Sequence, residues 1–148
     1  MSRFFKTGLR FSCQLCGMCC RLPNGSVNVS KDEARKISNY LNLAYKDFLG
    51  EYCINNDAVI KIKENPNDAC VFLNVDKCQI YEVRPLQCQT FPFWPENLKS
   101  RFRWKQLKFF CSGIDEGELY SPRRIKEIFQ LQKMHDTMFG NESENIEI

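Results

Sequence analysis

A chain of 148 residues with 43% apolar and 26% charged side chains has the make-up of one ordinary globular domain and excludes bulk disorder. Lys and Arg outnumber Asp and Glu by only three, far from the basicity of a dedicated nucleic-acid binder, and no apolar run nears the roughly 18 residues that span a bilayer. The nine cysteines are the anomaly: at about 6% of the chain they fall short of a small disulfide scaffold.

In chain order, residues 3–12 read as a short strand or extended lead-in. Residues 13–23 form a cysteine loop closed by Pro23-Asn24-Gly25, with Gly17 free to take a positive φ. Val27 and Val29 mark a short strand. Ser30 with Glu33 matches a capping box, and Ala34, Ile37, Tyr40 and Leu41 follow at helical spacing. A second helix is expected over Tyr45–Tyr52, with Phe48, Leu49 and Tyr52 on its apolar face. Ala58–Lys63 reads as a strand, and Asn65-Pro66-Asn67-Asp68 as a turn.

Cys70–Leu73 and Cys78–Tyr81 read as a hairpin around Asp76-Lys77. Pro85, Pro92 and Pro95 make residues 84–98 irregular. Arg101–Phe110 alternates, placing Phe102 and Trp104 on one face of a strand with a bulge near Gln106-Leu107. Ser121-Pro122 starts a long helix that runs through Ile125, Phe129 and Met138 to Gly140. The expected fold is a small single α+β domain over residues 1–140. It has short strands, a long C-terminal helix and an irregular, cysteine-rich, metal-centred core. Residues 141–148 are expected to be a disordered acidic tail.

The cysteines read as metal ligands rather than disulfides. No secretory leader is apparent, so a reducing cytoplasmic setting is expected, and nine thiols cannot all pair internally. Cys13, Cys16, Cys19 and Cys20 fall within eight residues, and a Cys-x-x-Cys turn points two sulfurs inward at the separation a metal needs. In an extended segment the adjacent Cys19 and Cys20 face opposite ways, so each is expected to serve a different metal atom. Cys70, Cys78, Cys88 and Cys111 each sit beside a turn, where a loop can present sulfur. Cys53 follows Phe48, Leu49 and Tyr52 at an expected helix end and reads as a buried spare thiol.

Cys13-Gln-Leu-Cys16-Gly-Met-Cys19-Cys20 resembles the signature of the CxxCxxCC cysteine-cluster (YkgJ-type) proteins, described as zinc- or iron-chelating domains. Cys70-Val-Phe-Leu73, Cys78-Gln-Ile-Tyr81, Arg84-Pro85-Leu-Gln-Cys88, Phe91-Pro-Phe-Trp94 and Cys111-Ser-Gly113 resemble further family motifs, so the likeness runs over residues 9–117. It implies metal binding through eight thiolates, Cys13, Cys16, Cys19, Cys20, Cys70, Cys78, Cys88 and Cys111. One position departs: the family usually places Arg after the cysteine that follows Arg-Pro, and this chain has Gln89.

The metal itself stays open between an iron–sulfur cluster, with 4Fe–4S the first expectation, and zinc. Three clustered thiolates plus a distant fourth suit a cube, yet position 23 is Pro where ferredoxin and radical-SAM spacings need Cys. Four thiolates suit zinc equally, and donor softness does not separate the two. Eight thiolates holding two divalent ions would take the formal +3 to −1, so the basic excess reads as compensation for the metal site.

Other residues carry blander readings. His135, the sole histidine, reads as a surface or half-buried helix residue. Arg84 is expected to pair with a carboxylate or donate to a thiolate, and Phe91-Pro-Phe-Trp94 to pack over the metal site. Arg101-Phe-Arg-Trp-Lys105 interleaves basic and aromatic residues but reads as a half-buried strand, so nucleic acid is not an expected partner. Metal ions are the expected partners, no membrane is, and a protein partner is unidentified. The leading function is a metal-binding cysteine-cluster protein. The alternatives are a redox or methyl-transfer enzyme or subunit, and a zinc-stabilised interaction or metal-trafficking module.

Overall fold

A computed structural model describes residues 4–15, 17–21, 27–56, 59–66, 69–140 and 148. In chain order its strands are β1 (Leu9–Phe11), β2 (Asn28–Val29), β3 (Cys53–Asn56), β4 (Val59–Ile62), β5 (Leu73–Asn74), β6 (Lys77–Cys78) and β7 (Glu118–Tyr120). The helices are α1 (Lys31–Tyr40), α2 (Tyr45–Tyr52), α3 (Leu86–Thr90), α4 (Arg101–Gln106) and α5 (Pro122–Met138). The architecture is α+β, with antiparallel sheets of order β1-β7, β2-β4-β3 and β5-β6. Contacts gather into two compact units, Gly17–Gln89 and Met1–Cys16 with Thr90–Ile148.

In the unit Gly17–Gln89, α1 starts where the capping box predicts. The Ser30 hydroxyl accepts the Glu33 N–H at 3.1 Å, and Glu33 Oε1 accepts the Ser30 N–H at 3.0 Å. This satisfies two of the amide donors that a helix start leaves unpaired. Strand β4 is central, with Val29 opposite Ile60 and Cys53 opposite Ile62. Its alternation buries Ile60 and Ile62 against Val29, Ala34, Ile37, Phe48 and Phe72. The Phe72 ring lies 5.0 Å from Tyr52 and 6.3 Å from Phe48, centroid to centroid, which ties α2 to the hairpin segment.

The hairpin β5–β6 is narrower than the sequence predicts. Leu73 faces Cys78 and Asn74 faces Lys77, leaving Val75 and Asp76 as its turn. Val75 takes φ +59°, a strained value for a β-branched residue. The Arg21 guanidinium donates to the Val75 carbonyl at 2.6 Å and to Asp76 Oδ1 at 3.4 Å, which fastens that turn.

In the other unit, β1 pairs with β7, Leu9 opposite Tyr120 and Phe11 opposite Glu118. Its core joins Phe5, Phe11, Phe93, Trp104, Ile114, Ile125 and Phe129. Helix α5 starts as expected, with the Ser121 hydroxyl accepting the Arg124 N–H and Pro122 in the first turn. It ends at a Gly140 of φ +73°.

The segment Arg101–Phe110 is helical rather than a bulged strand: α4 continues into a 3-10 turn over Leu107–Phe109. Trp104, Leu107 and Cys111, three and four residues apart, are the buried positions, whereas Phe102 points to solvent. The Trp104 indole N–H donates to Asp115 Oδ1 at 2.9 Å, which fixes the inward face. The proline-rich stretch 84–98 holds the short helix α3 among its turns. Cys53 stands at the helix end where the sequence predicts it, capping α2 with its N–H on the Leu49 carbonyl, and also opens β3. The expected turns at Pro23-Asn24-Gly25 and Asn67-Asp68, the strand start at Ala58, Arg3, and the tail over 141–147 lie outside the described residues. Among the described residues no helix is long and apolar enough to cross a membrane.

Candidate metal centre

Gly17 positions the cysteine loop. Its φ is +74°, and a Cβ there would lie 2.7 Å from both the Asp76 carbonyl oxygen and Leu73 Cδ1. Only glycine lets the loop lie this close to the β5–β6 hairpin. The chain then makes a 3-10 turn over Met18–Arg21, with the Cys20 N–H donating to Gly17 O at 3.1 Å. The Cys20 carbonyl accepts the Cys70 N–H at 2.9 Å. Cys78 lies on β6 and Cys88 on α3. The unit Gly17–Gln89 therefore gathers Cys19, Cys20, Cys70, Cys78 and Cys88.

The 3-10 turn corrects the reading of Cys19 and Cys20. The pair is not extended, so the two side chains do not diverge. Their thiols hydrogen-bond to each other, and Cys20 also bonds Cys78. Cys20 keeps its proton, its pKa pushed far up by the single S–H it shares between Cys19 and Cys78 and by burial. That shared proton brings Cys19 and Cys78 down to about 7 each, with the Arg84 charge adding to the effect. Burial pushes Cys70 up to about 11 and drives Cys88 well above the ordinary thiol range. Within the cluster Cys19 and Cys78 give up their protons more readily than Cys20, Cys70 and Cys88. These are soft donors that suit zinc or iron, and binding has to expel the remaining protons.

Arg84 supplies the positive charge. Its guanidinium stacks 3.9 Å from the Tyr81 ring centroid, its Nε–H donates to the Tyr81 carbonyl at 3.1 Å, and its own carbonyl accepts Gln89 Nε2 at 2.7 Å. Among the described residues no carboxylate pairs with it, so its field falls on Cys19, Cys78 and Cys88. Gln89, the departure from the family pattern, braces the arginine backbone.

Glu33 has a second task that its capping box conceals. Its other oxygen, Oε2, accepts the Leu86 N–H at 2.6 Å and so ties α1 to the first turn of α3, two residues before Cys88. Gln87 adds a bond from the Asn28 N–H at 3.3 Å. Local pattern finds the Ser30–Glu33 half of this arrangement, but a carboxylate reaching 53 residues along the chain leaves no local signal.

The remaining cysteines stand elsewhere. Cys16 lies outside the described residues. Cys13 and Cys111 belong to the other unit, where Cys13 is exposed and Cys111 buried. There the Ser12 N–H donates to Gly113 O at 3.2 Å, and a Cβ on Gly113 would meet the Ser12 carbonyl oxygen at 2.0 Å. The Cys111-Ser-Gly113 motif thereby brings its backbone against the segment that enters the cysteine loop. Cys53 is buried in the apolar core, where desolvation pushes its thiol up to about 11. Among the described residues no three His, Cys, Asp or Glu side chains already stand in metal-holding geometry. His135 is buried rather than at the surface, its Nδ1 3.7 Å from Asp136 Oδ1. The aromatic run Phe91–Trp94 contributes Phe93 to the core of its own unit, beside Phe11 and Trp104.

The fold and this set of thiols describe a cysteine-cluster domain. Residues 12–112 match the family model CxxCxxCC, described as "Putative zinc- or iron-chelating domain", and the chain belongs to that family. It is also similar to two uncharacterized proteins of Methanocaldococcus jannaschii. One is 32% identical over 91 residues, 60% of this chain and 48% of its own length. The other is 28% identical over 149 aligned positions, 93% of this chain and 49% of its own length. The chain thus spans about half the length of the curated relatives it matches. No solved structure matches it.

Proposed function

We propose that this chain chelates a thiophilic metal centre through cysteine thiolates, with Cys19, Cys20, Cys70, Cys78 and Cys88 as the nucleus of an eight-ligand set completed by Cys13, Cys16 and Cys111. The observation that carries this reading is the shared hydrogen bonding of Cys20 with Cys19 and Cys78 beside the Arg84 charge. Clustered thiolates joined by a distant one suit an iron–sulfur cube, which is the first reading of the metal. Zinc is the second reading, supported by a turn-plus-hairpin presentation in which Cys19, Cys20, Cys70 and Cys78 alone make a four-thiolate set. Either centre supplies folding energy, since a structural zinc site contributes ~10–16 kcal/mol of apparent binding free energy.

Anaerobic purification followed by an absorption spectrum and acid-labile sulfide analysis separates the two. Sulfide with a broad visible band bears out the cluster. A colourless protein with stoichiometric zinc and no sulfide overturns it in favour of zinc.

A further inference from the structure

The helical stretch 101–110 leaves apolar rings in solvent that its buried face does not need. Phe102 is 70% exposed, Phe109 87% and Phe110 44%. Phe102 lies on α4 and Phe109 on the 3-10 turn that continues it, both exposed where Trp104 and Leu107 are buried. The rings do not merge into one apolar patch, because Arg103, Lys105 and Lys108 stand between them, all exposed. From residue 97 to residue 114 the chain has five cations, Lys99, Arg101, Arg103, Lys105 and Lys108, and no acidic residue. Among the described residues no carboxylate pairs with Arg101 or Arg103.

A second observation lies beside the same helix. A cavity of about 400 Å³ is lined by Arg10 of β1, by Arg101 and Lys105 of α4, and by Asp115. Asp115 accepts from Lys105 Nζ at 2.5 Å and holds that lysine at the rim. Three cations against one carboxylate leave the cavity positive. Arg101 is engaged there only at 3.4 Å by the Phe4 carbonyl, and Arg10 donates to the Gly117 carbonyl at 2.9 Å.

We propose that the exposed face of residues 101–110, with the Arg10–Arg101–Lys105 cavity beside it, binds single-stranded nucleic acid. Phe102 and Phe109 stack on bases, while the interleaved cations and the cavity take the phosphates. Spaced rings flanked by cations are the recurring form of a single-strand platform, in which stacking is tolerant of sequence and charge follows the backbone. An acidic peptide would use the cations and leave the rings without a role. A membrane would need a continuous apolar face, which on this helix is spent on the core. The whole-chain charge of +3 conceals the site because the acidic residues lie elsewhere in the sequence.

The test is fluorescence anisotropy of labelled single-stranded RNA and DNA of about 15 nucleotides. It uses the full chain as purified with its metal. Micromolar binding at low salt is expected. The double substitution F102A/F109A should weaken it about 30-fold or more, because each stacked base contributes ~1–3 kcal/mol. R101Q/R103Q should flatten the dependence of log K on log salt by roughly 1.4, at ~0.7 per phosphate contact on a single strand. The exposed Met138 on α5 serves as control, and M138A should bind like the unaltered chain. Circular dichroism and metal content, unchanged in each variant, exclude unfolding as the cause of any loss. Absence of binding at low salt overturns the proposal, as does F102A/F109A binding as tightly as the unaltered chain. Equal affinity for a duplex, for poly-glutamate or for anionic vesicles overturns it too.

Discussion

Two kinds of thiol stand in one unit, and their surroundings explain the difference. Cys19 and Cys78 fall to about 7 because they share the one Cys20 thiol proton, with Arg84 adding its charge. Cys53 rises to about 11 because burial penalises its thiolate. In the folded, metal-loaded protein at pH 8, iodoacetamide should therefore modify Cys53 about 100-fold more slowly than free cysteine, two pKa units being 10²-fold in thiolate fraction. A rate equal to that of free cysteine would contradict the assignment. The pH window follows from the same shift. A folded pKa above the unfolded value of 9.0 means that the folded state holds the proton more tightly. Its contribution to stability is complete below about pH 9 and is lost as pH rises through about 11. In C53A that loss should be absent from a urea midpoint followed from pH 8 to 11, and metal content should be unchanged.

Elements matter here through the few bonds that place sulfur. Gly17 carries both a left-handed φ and a close approach, so G17A should cost roughly 1–3 kcal/mol and lift the Met18–Arg21 turn off the hairpin. Lower metal occupancy with a lower unfolding midpoint is the expected outcome, and an unchanged midpoint would refute it. Glu33 joins α1 to α3 with one carboxylate, so E33A should cost more than a lost cap. The loss of the Ser30 cap in S30A costs about 0.5–2 kcal/mol, whereas a hydrogen bond to a charged group adds about 1.5–3 kcal/mol. Only E33A should also loosen Cys88, detectable as faster metal transfer to a chelator. Equal stability and equal transfer rates for the two variants would show that the Leu86 bond contributes nothing.

These elements also show which signals a bare sequence carries. Ser30 with Glu33, and Ser121 with Pro122, are contacts within one turn, and both helix starts appear where their residues predict. The alternation Arg-Phe-Arg-Trp-Lys mimics a strand because the exposed Phe102 shares the period of the buried Trp104, while the helical spacing of Trp104, Leu107 and Cys111 is the one that packs. Strand β7 is three residues long and pairs with β1 more than 100 residues away, so no local pattern announces it. Adjacent cysteines suggest an extended Cys19–Cys20 pair, but the positive φ of Gly17, which the sequence does predict, leads into a 3-10 turn. Spacing marks Cys13, Cys16, Cys19 and Cys20 as one candidate set. The grouping of Cys70, Cys78 and Cys88 with Cys19 and Cys20 depends on tertiary contacts such as Cys70 N–H to Cys20 O.

For the whole molecule, bound metal and the fold should stand or fall together. Each unit has a small apolar core, and net domain stability is typically only ~5–15 kcal/mol, the same order as a thiolate metal site contributes. Chelation under reducing conditions should therefore leave a state with retained helix signal, lost near-ultraviolet signal and rapid proteolysis. The most direct measurement is elemental analysis of the anaerobically purified chain beside C19S/C20S/C78S, with unfolding followed on both. The account predicts at least one zinc or iron per chain in the unaltered protein, lost together with cooperative unfolding in the triple variant. A metal-free chain that still unfolds cooperatively, or a triple variant that keeps its full metal content, would contradict it.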